Sequence, residues 1–385
     1  MKRKEPEPKL EDILKIHEGG KVRLESRVTI DSIEQLRHVY TPGVAQVCKL
    51  IEREPERVYE YTSISNTIAI VTNGTAVLGL GDIGPRPSMP VMEGKSCILD
   101  QMGGVACVPI LVDSHVAAEV VETVEKIAAT FAGILLEEIS APACFEIEDE
   151  LKARLDIPVF HDDQHGTAVV TLAALISALK LAGKNAEDCT VAMNGAGAAG
   201  SAVAGFLLSY GIKDVVLCDS AGAIYEGRTE NMNAAKERIA RATNNEHQQG
   251  PPADVMKGKD IFIGVSVAGV VSQDMVRSMA DDPIVFAMAN PTPEIWPHEA
   301  MDAGAVASSD GRTINNALGF PGLFRGTLDA RASEISEEMK FAAARALAEL
   351  APEGELVPDF MDREVHRAVA AAVARAARES GVARL

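Results

Sequence analysis

Two acidic pairs each follow a short apolar run: Glu137-Glu138 after Gly-Ile-Leu-Leu, and Asp162-Asp163 one residue after Ile-Pro-Val-Phe. Such runs read as buried strands, and open α/β sheets bind ligands beyond the carboxyl ends of their strands. Three or four hard oxygen donors converging there suit Mg²⁺ or Mn²⁺. Each pair alone is more often a solvated loop or a helix N-cap. His161 and His165 bracket the second pair in a spacing that imitates the zinc-protease motif H-E-x-x-H. That motif needs both histidines on a helix with a glutamate base. Here Pro158-Val159-Phe160 reads as extended and aspartate replaces glutamate, so zinc hydrolysis is not expected.

Lys95 follows a proline-rich loop. It is either a solvated charge or, if buried near a cation, a base with a lowered pKa. Tyr40, in Tyr40-Thr41-Pro42-Gly43, precedes a helix and by pattern alone is a boundary aromatic.

The segment Gly195-Ala196-Gly197-Ala198-Ala199-Gly200 fits G-x-G-x-x-G, follows the apolar run TVAMN and opens an apolar helix. Gly195 permits the tight turn. Gly197 lets the backbone approach a pyrophosphate at the helix N-terminus, beside Ala198 and Ala199, and Gly200 lets helix and strand pack closely. Asp219 ends the next strand, where a carboxylate accepts hydrogen bonds from a ribose diol and repels a 2′-phosphate. No Arg or Lys directly follows it, which favours NAD over NADP as the cofactor, with NADP possible.

The elements that must position these groups alternate between helix and strand, the pattern of an α/β fold. Residues 43–60 space Val44, Val47, Cys48 and Ile51 on one helical face. Asn73-Gly74 between two apolar runs signals a hairpin. PRPSMP reads as a loop before a helix over VMEGKSCILDQM. ILVD (110–113) and GILL (133–136) read as strands with a helix between them, and FEIEDELKARL as a helix before the strand IPVF. A long apolar helix follows residue 166, and the domain boundary is expected near 165, giving domains 1–165 and 166–385. The second half, with DVVLCD, IFIGVS, IVFAMANP and AVASSD, has the signature of a doubly wound parallel sheet. Residues 333–381 read as Ala- and Arg-rich helix for packing, or alternatively for a dimer contact.

The 385 residues, 47% hydrophobic, are enough for a large core. With 37 basic and 56 acidic residues the net charge is −19, which argues against nucleic acid as a partner. No run of eighteen apolar residues suggests a membrane span, and the basic opening has no apolar run behind it to make a secretory signal. Six scattered cysteines without a C-x-x-C pair fit a reducing, cytoplasmic compartment.

Together these segments resemble the malic enzyme family in its short bacterial and archaeal form. They are YTPGVA (40–45), TNGTAVLGLGDIGP (72–85), VMEGK (91–95), EEISAPACFEIE (137–148), FHDDQHGTA (160–168), NGAGAAG (194–200), FAMANPTPEI (286–295) and INNALGFPG (314–322), in family order. The resemblance implies an N-terminal malic-type α/β domain followed by a Rossmann-like, doubly wound NAD-binding domain. It implies oxidative decarboxylation of L-malate to pyruvate and CO₂, with NAD(P) reduced and a divalent metal bound. By motif position Glu137, Glu138 and Asp163 would be metal ligands, Lys95 the general base, Tyr40 the general acid and Asp162 the setter of Lys95 protonation. Asn290 and Asn316 would bind the substrate carboxylate, Asn290 also lying on the cofactor side. A homodimer is expected, with groups borrowed across it.

The chain departs from the family at Glu138, where Asp is frequent, and at Ala76, where larger animal-type enzymes carry an arginine for the substrate carboxylate. The segment CILDQMGGVACVPI after Lys95 is also less typical, and no phosphotransacetylase-like extension is expected. The competing enzyme readings are a metal-independent amino-acid-type dehydrogenase, an oxaloacetate decarboxylase and a malate-to-lactate enzyme that retains NAD. A nucleotide-sensing protein without turnover is the non-enzymatic one.

Overall fold

The computed structural model describes residues 8–385; residues 1–7, which carry the basic opening weighed as a secretory signal, lie outside them. Two short helices, α1 (Ile33–Val39) and α2 (Val44–Arg53), lead into the first of two sheets. That sheet joins β1 (Thr67–Thr72), β2 (Ala106–Leu111), β3 (Gly133–Leu136) and β4 (Val159–His161) in the order β2-β1-β3-β4, all parallel. Its central strands are covered on both faces, which is why they read as continuous apolar runs. Ile68, Ile70 and Leu135 face the main core. Ala69, Val71, Ile134 and Leu136 face a second layer under α4 (Ala117–Ile127) and α5 (Ala143–Arg154).

Asn73-Gly74 does not turn a hairpin. β1 pairs in parallel with β2 and β3, and the apolar run after Gly74 forms a loop closed by one bridge, Val77 to Gly81. The pair supplies the local turn, with Gly74 at φ 71°, but the chain then folds back over the end of β1 as a cleft wall. The expected loop PRPSMP is instead the opening of helix α3 (Pro85–Gly103). Pro85 and Pro87 fall in the first turn, where no intrahelical N–H bond is needed, while Pro90 lies inside the helix. Lys95 therefore sits in the middle of a nineteen-residue helix.

Helix α6 (Thr167–Ala182) leads from the first sheet to the second, and the main core draws side chains from both sheets. The helical run Asp162–Ala182 is long and apolar enough to cross a membrane, contrary to the sequence expectation, and 67% of its apolar window is buried inside the fold. Core burial on every side produces the same all-round apolarity as a membrane span.

The second sheet contains β5 (Thr190–Asn194), β6 (Asp214–Asp219), β7 (Gly222–Ala223), β8 (Ile261–Gly264), β9 (Ile284–Ala287) and β10 (Ala307–Asp310), in the order β10-β9-β8-β5-β6-β7. All are parallel except β7, which runs antiparallel to β6. The order reverses at β5, and helix α7 (Ala198–Tyr210) starts directly beyond it. The chain ends in α8 (Phe320–Asp329), α9 (Glu337–Leu350) and α10 (Arg363–Glu379). α8 and α10 pack on α3, so the last helices return to the first sheet.

Candidate active site

The carboxyl ends of both sheets border one cleft of about 710 Å³. The first sheet supplies Glu137 and Glu138 just beyond β3 and Asp163 just beyond β4, and α3 supplies Lys95. The second supplies Gly197–Gly200, Ser266, Asn290 and Asn316. Each sheet changes strand order here, the location where α/β sheets bind ligands.

Lys95 is the hub. Its Nζ pairs with Asp162 Oδ2, lies 3.1 Å from Glu137 Oε1 and sits 4.4 Å from the centroid of the Phe320 ring. Burial alone would lower its pKa, but Asp162, Glu137 and Asp163 outweigh burial and hold the ammonium above its ordinary value. The lowered pKa expected for a buried lysine beside a cation is therefore not what the protein groups alone produce. Three carboxylates surround Lys95, and their attraction exceeds the desolvation cost.

The same crowding acts on the acids. Burial first, then the neighbouring carboxylates, push Glu137 well above its usual range against the pull of Lys95. Burial and Asp163 push Glu138 up to about 7. Burial also raises Asp162, against the pull of Lys95. Glu138 takes a left-handed φ of 56°, a conformation costing about 1–3 kcal/mol in a non-glycine residue. It is held there by its N–H to Asp163 Oδ2 (2.8 Å), its carbonyl accepting from the Ala76 N–H (3.1 Å) and its Oε2 accepting from the Leu78 N–H (3.0 Å).

Convergence of the acids is incomplete. Among the described residues no three acidic, His or Cys side chains already surround a common point. Each acid has a separate partner instead: the Glu138 carboxylate turns to Leu78, Asp163 to the Glu138 N–H, and Glu137 to Lys95. The donor set still fits a hard divalent ion in its chemistry. Three carboxylates line one wall, and Glu137 Oε2 is buried without a hydrogen-bond partner.

On the nucleotide side Gly195 has φ 113°, and a Cβ on Gly200 would lie 1.7 Å from the Gly195 carbonyl oxygen. A Cβ on Gly197 would meet nothing within 4 Å, so that stretch of backbone is open to a ligand at the N-terminus of α7.

Two family models match the chain: the malic enzyme N-terminal domain over residues 20–152, and the malic enzyme NAD binding domain over residues 164–314 and 312–378. A bifunctional malic/malolactic enzyme of Bacillus subtilis is 50% identical, with 97% of this chain and 94% of that protein covered. An NAD-dependent malic enzyme of Geobacillus stearothermophilus is 48% identical over 96% of this chain and 79% of its own length. The crystal structure of malic enzyme from Pyrococcus horikoshii Ot3 superposes with a TM-score of 0.94 at 41% identity, covering 97% of this chain and 92% of that one. The chain belongs to the malic enzyme family. The amino-acid-dehydrogenase reading has no support from these matches.

Not every residue singled out in the sequence reaches the cleft of this malic enzyme. Tyr40 is 66% exposed and is not among the described residues lining the cleft. Asp219 is also outside the lining. Its carboxylate already accepts hydrogen bonds from Arg228 Nη2 (2.7 Å to each oxygen), Lys236 Nζ (2.6 Å), Asn231 Nδ2 (3.0 Å) and the Ala221 N–H (2.9 Å). Arg228 and Lys236 hold Asp219 below the usual carboxylate range despite its burial. The absence of an adjacent basic residue was the premise for preferring NAD, and these two cations arrive from nine and seventeen residues away. Arg228 spends its remaining donors on the carbonyls of Glu230, Gly222 and Ala223.

Two buried acids of this malic enzyme escaped the sequence reading. Glu294, in the segment ANPTPE, accepts from the Ser266 N–H (2.7 Å) and the Ala289 N–H (3.0 Å), bracing two cleft-lining loops. Glu148, on α5, lies under the Asp162-Asp163 turn.

Proposed function

We infer that this chain catalyses the oxidative decarboxylation of L-malate to pyruvate and CO₂ with reduction of NAD(P). The observation that carries this reading is the Lys95–Asp162–Glu137 group facing an open dinucleotide loop across a single cleft. Glu137, Glu138 and Asp163 would hold Mg²⁺ or Mn²⁺, and Gly195, Gly197, Ala198, Ala199 and Gly200 would hold the nucleotide pyrophosphate. When bound, the cation supplies a positive charge to the substrate hydroxyl and carboxylate, and the nucleotide supplies a hydride acceptor.

The chain's own groups do the rest. Lys95 takes the C2 hydroxyl proton, which requires it to start neutral. The carboxylates keep the proton on Lys95, so Lys95 becomes a base only when their charge is balanced. Asp162, buried and raised, is the group with which that proton is shared. Asn290 and Asn316, which both line the cleft, direct the substrate carboxylates. Among the described residues lining the cleft Lys95 is the only basic side chain, and Ala76 lines it where an arginine would serve. The substrate's charge therefore has to be met by Lys95, the asparagines and the cation together.

In a spectrophotometric assay, NADH or NADPH formation from malate is expected with Mn²⁺ and not after excess chelator, with activity returning on adding the metal back. Turnover that persists with metal absence verified sinks the metal assignment. Analysis of the product, pyruvate or lactate, separates this reading from the malate-to-lactate one, which the name of the 50% identical relative keeps in play.

Tyr40 would protonate C3, and a second copy of the chain would deliver it. What supports this is its place: it is exposed, on a segment whose Ile33, Leu36 and Val39 are exposed as well, an apolar set suited to a homodimer contact. Co-expressed Tyr40→Phe and Lys95→Ala subunits are then expected to regain about half the parental activity per hybrid dimer, because one of two composite sites is intact. A hybrid as inactive as either parent variant places both residues within one subunit's site.

A further inference from the structure

The turn that carries Asp162 and Asp163 is unusual. Residues Asp162–Gly166 form a single π-helical turn, with the Thr167 N–H bonded back to the Asp162 carbonyl. Such turns hold an extra residue per turn and recur at functional sites because they re-aim side chains. Side-chain contacts from outside the turn add to that backbone bond.

Beneath it lies Glu148, 3% exposed, on α5. Its Oε1 accepts from the His161 N–H at 3.2 Å and from Lys152 Nζ at 2.8 Å. Its Oε2 accepts from Gln164 Nε2 at 3.0 Å and from His165 Nε2 at 3.0 Å. The carboxylate thus grips the chain immediately before Asp162 and immediately after Asp163. The two residues it does not touch are the ones presented to Lys95 and the cleft.

We propose that Glu148 is a positioning residue: by tying down His161, Gln164 and His165 on the underside of the turn, it fixes Asp162 against Lys95 and holds Asp163 ready for the divalent cation. The proposal rests on the metal reading above and extends it to a residue that touches neither metal nor substrate. The physical requirement is an acceptor-only group. An ionised carboxylate offers about four lone-pair sites, and four donors converge on this one. An amide cannot replace it, since its NH₂ would face at least one of those donors. Burial would raise the Glu148 carboxyl, but His165 and Lys152 overcome it and keep the group below the usual range.

The test measures Mn²⁺ binding by calorimetry or electron paramagnetic resonance, alongside kcat, KM for malate and nucleotide affinity. Glu148→Gln is expected to weaken Mn²⁺ binding by about tenfold or more, the usual cost of losing a group that orients a metal ligand. Nucleotide affinity should stay within about twofold, since the dinucleotide loop is on the other sheet. Leu151→Ala, fully buried on the same helix, serves as the stability control: it should lower the melting temperature yet leave Mn²⁺ affinity near parental. If Glu148→Gln fails to fold, Gln164→Leu removes one tie without stranding the charge and should weaken Mn²⁺ binding by about threefold. Mn²⁺ binding unchanged in a folded Glu148→Gln, or in Gln164→Leu, overturns the proposal, as does an equal loss in Leu151→Ala. A parent chain that binds no Mn²⁺ overturns the metal reading with it.

Discussion

Lys95→Ala is expected to lower kcat for malate oxidation by about a thousandfold while nucleotide affinity changes less than about twofold, because a positioned general base contributes roughly 10²–10⁴ in rate. The structure separates the two quantities: Lys95 stands on α3 in the first sheet's half, and the dinucleotide loop opens α7 in the second. The alanine variant also strands Asp162 and Glu137, which are 0% and 1% exposed, without their cation. Both carboxyls are already raised by burial, so each can take up a proton in place of the lost ammonium. Lys95→Arg divides the two roles of the residue. A guanidinium keeps the charge pair with Asp162 but does not give up a proton at working pH. It should therefore fold close to the parent and be nearly as inactive as the alanine variant. Full turnover in either variant removes Lys95 as the base.

The groups that the sequence placed well share a physical reason. GILL and IPVF are covered on both faces in a parallel sheet, so they stand out as unbroken apolar runs, and the residues after them must emerge at the sheet's carboxyl edge. Glu137, Glu138, Asp162 and Asp163 follow from that. The dinucleotide loop was legible because its glycines answer to local sterics.

What was not legible depends on partners remote in sequence. Arg228 and Lys236 reach Asp219 only after the chain has passed through β7 and its loop. Asn73-Gly74 announces a turn but not the parallel pairing that makes a hairpin impossible. Glu148 sits among five other charged residues in FEIEDELKAR and looks like surface. Its helical phase held the one available signal: Cys144, Ile147, Glu148 and Leu151 fall on one face, and all four are buried. A carboxylate on an apolar stripe is the kind of buried charge that needs a specific set of donors. Tyr40 is different again, because it is exposed and outside the cleft lining of the described residues.

Gly200→Ala probes the opposite half. The added Cβ would lie 1.7 Å from the Gly195 carbonyl oxygen and 3.3 Å from Val265 Cγ2. The first contact is backbone, not a side chain that can swing aside, and Gly195 itself is fixed at φ 113° with its N–H bonded to the Cys218 carbonyl at 2.9 Å. Relief must come from moving the start of α7 away from the turn, which displaces the N–H groups that would meet the pyrophosphate. A loss of about 2 kcal/mol there corresponds to roughly thirtyfold in nucleotide affinity. The expected result is that KM for the nucleotide rises by at least that factor while Mn²⁺ binding stays at the parental value, since Glu137, Glu138 and Asp163 belong to the other sheet. Calorimetric titration with each ligand separately checks both halves of this expectation. Unchanged nucleotide affinity would mean that the turn before α7 is only a packing device, and the pyrophosphate would have to be assigned elsewhere along the cleft.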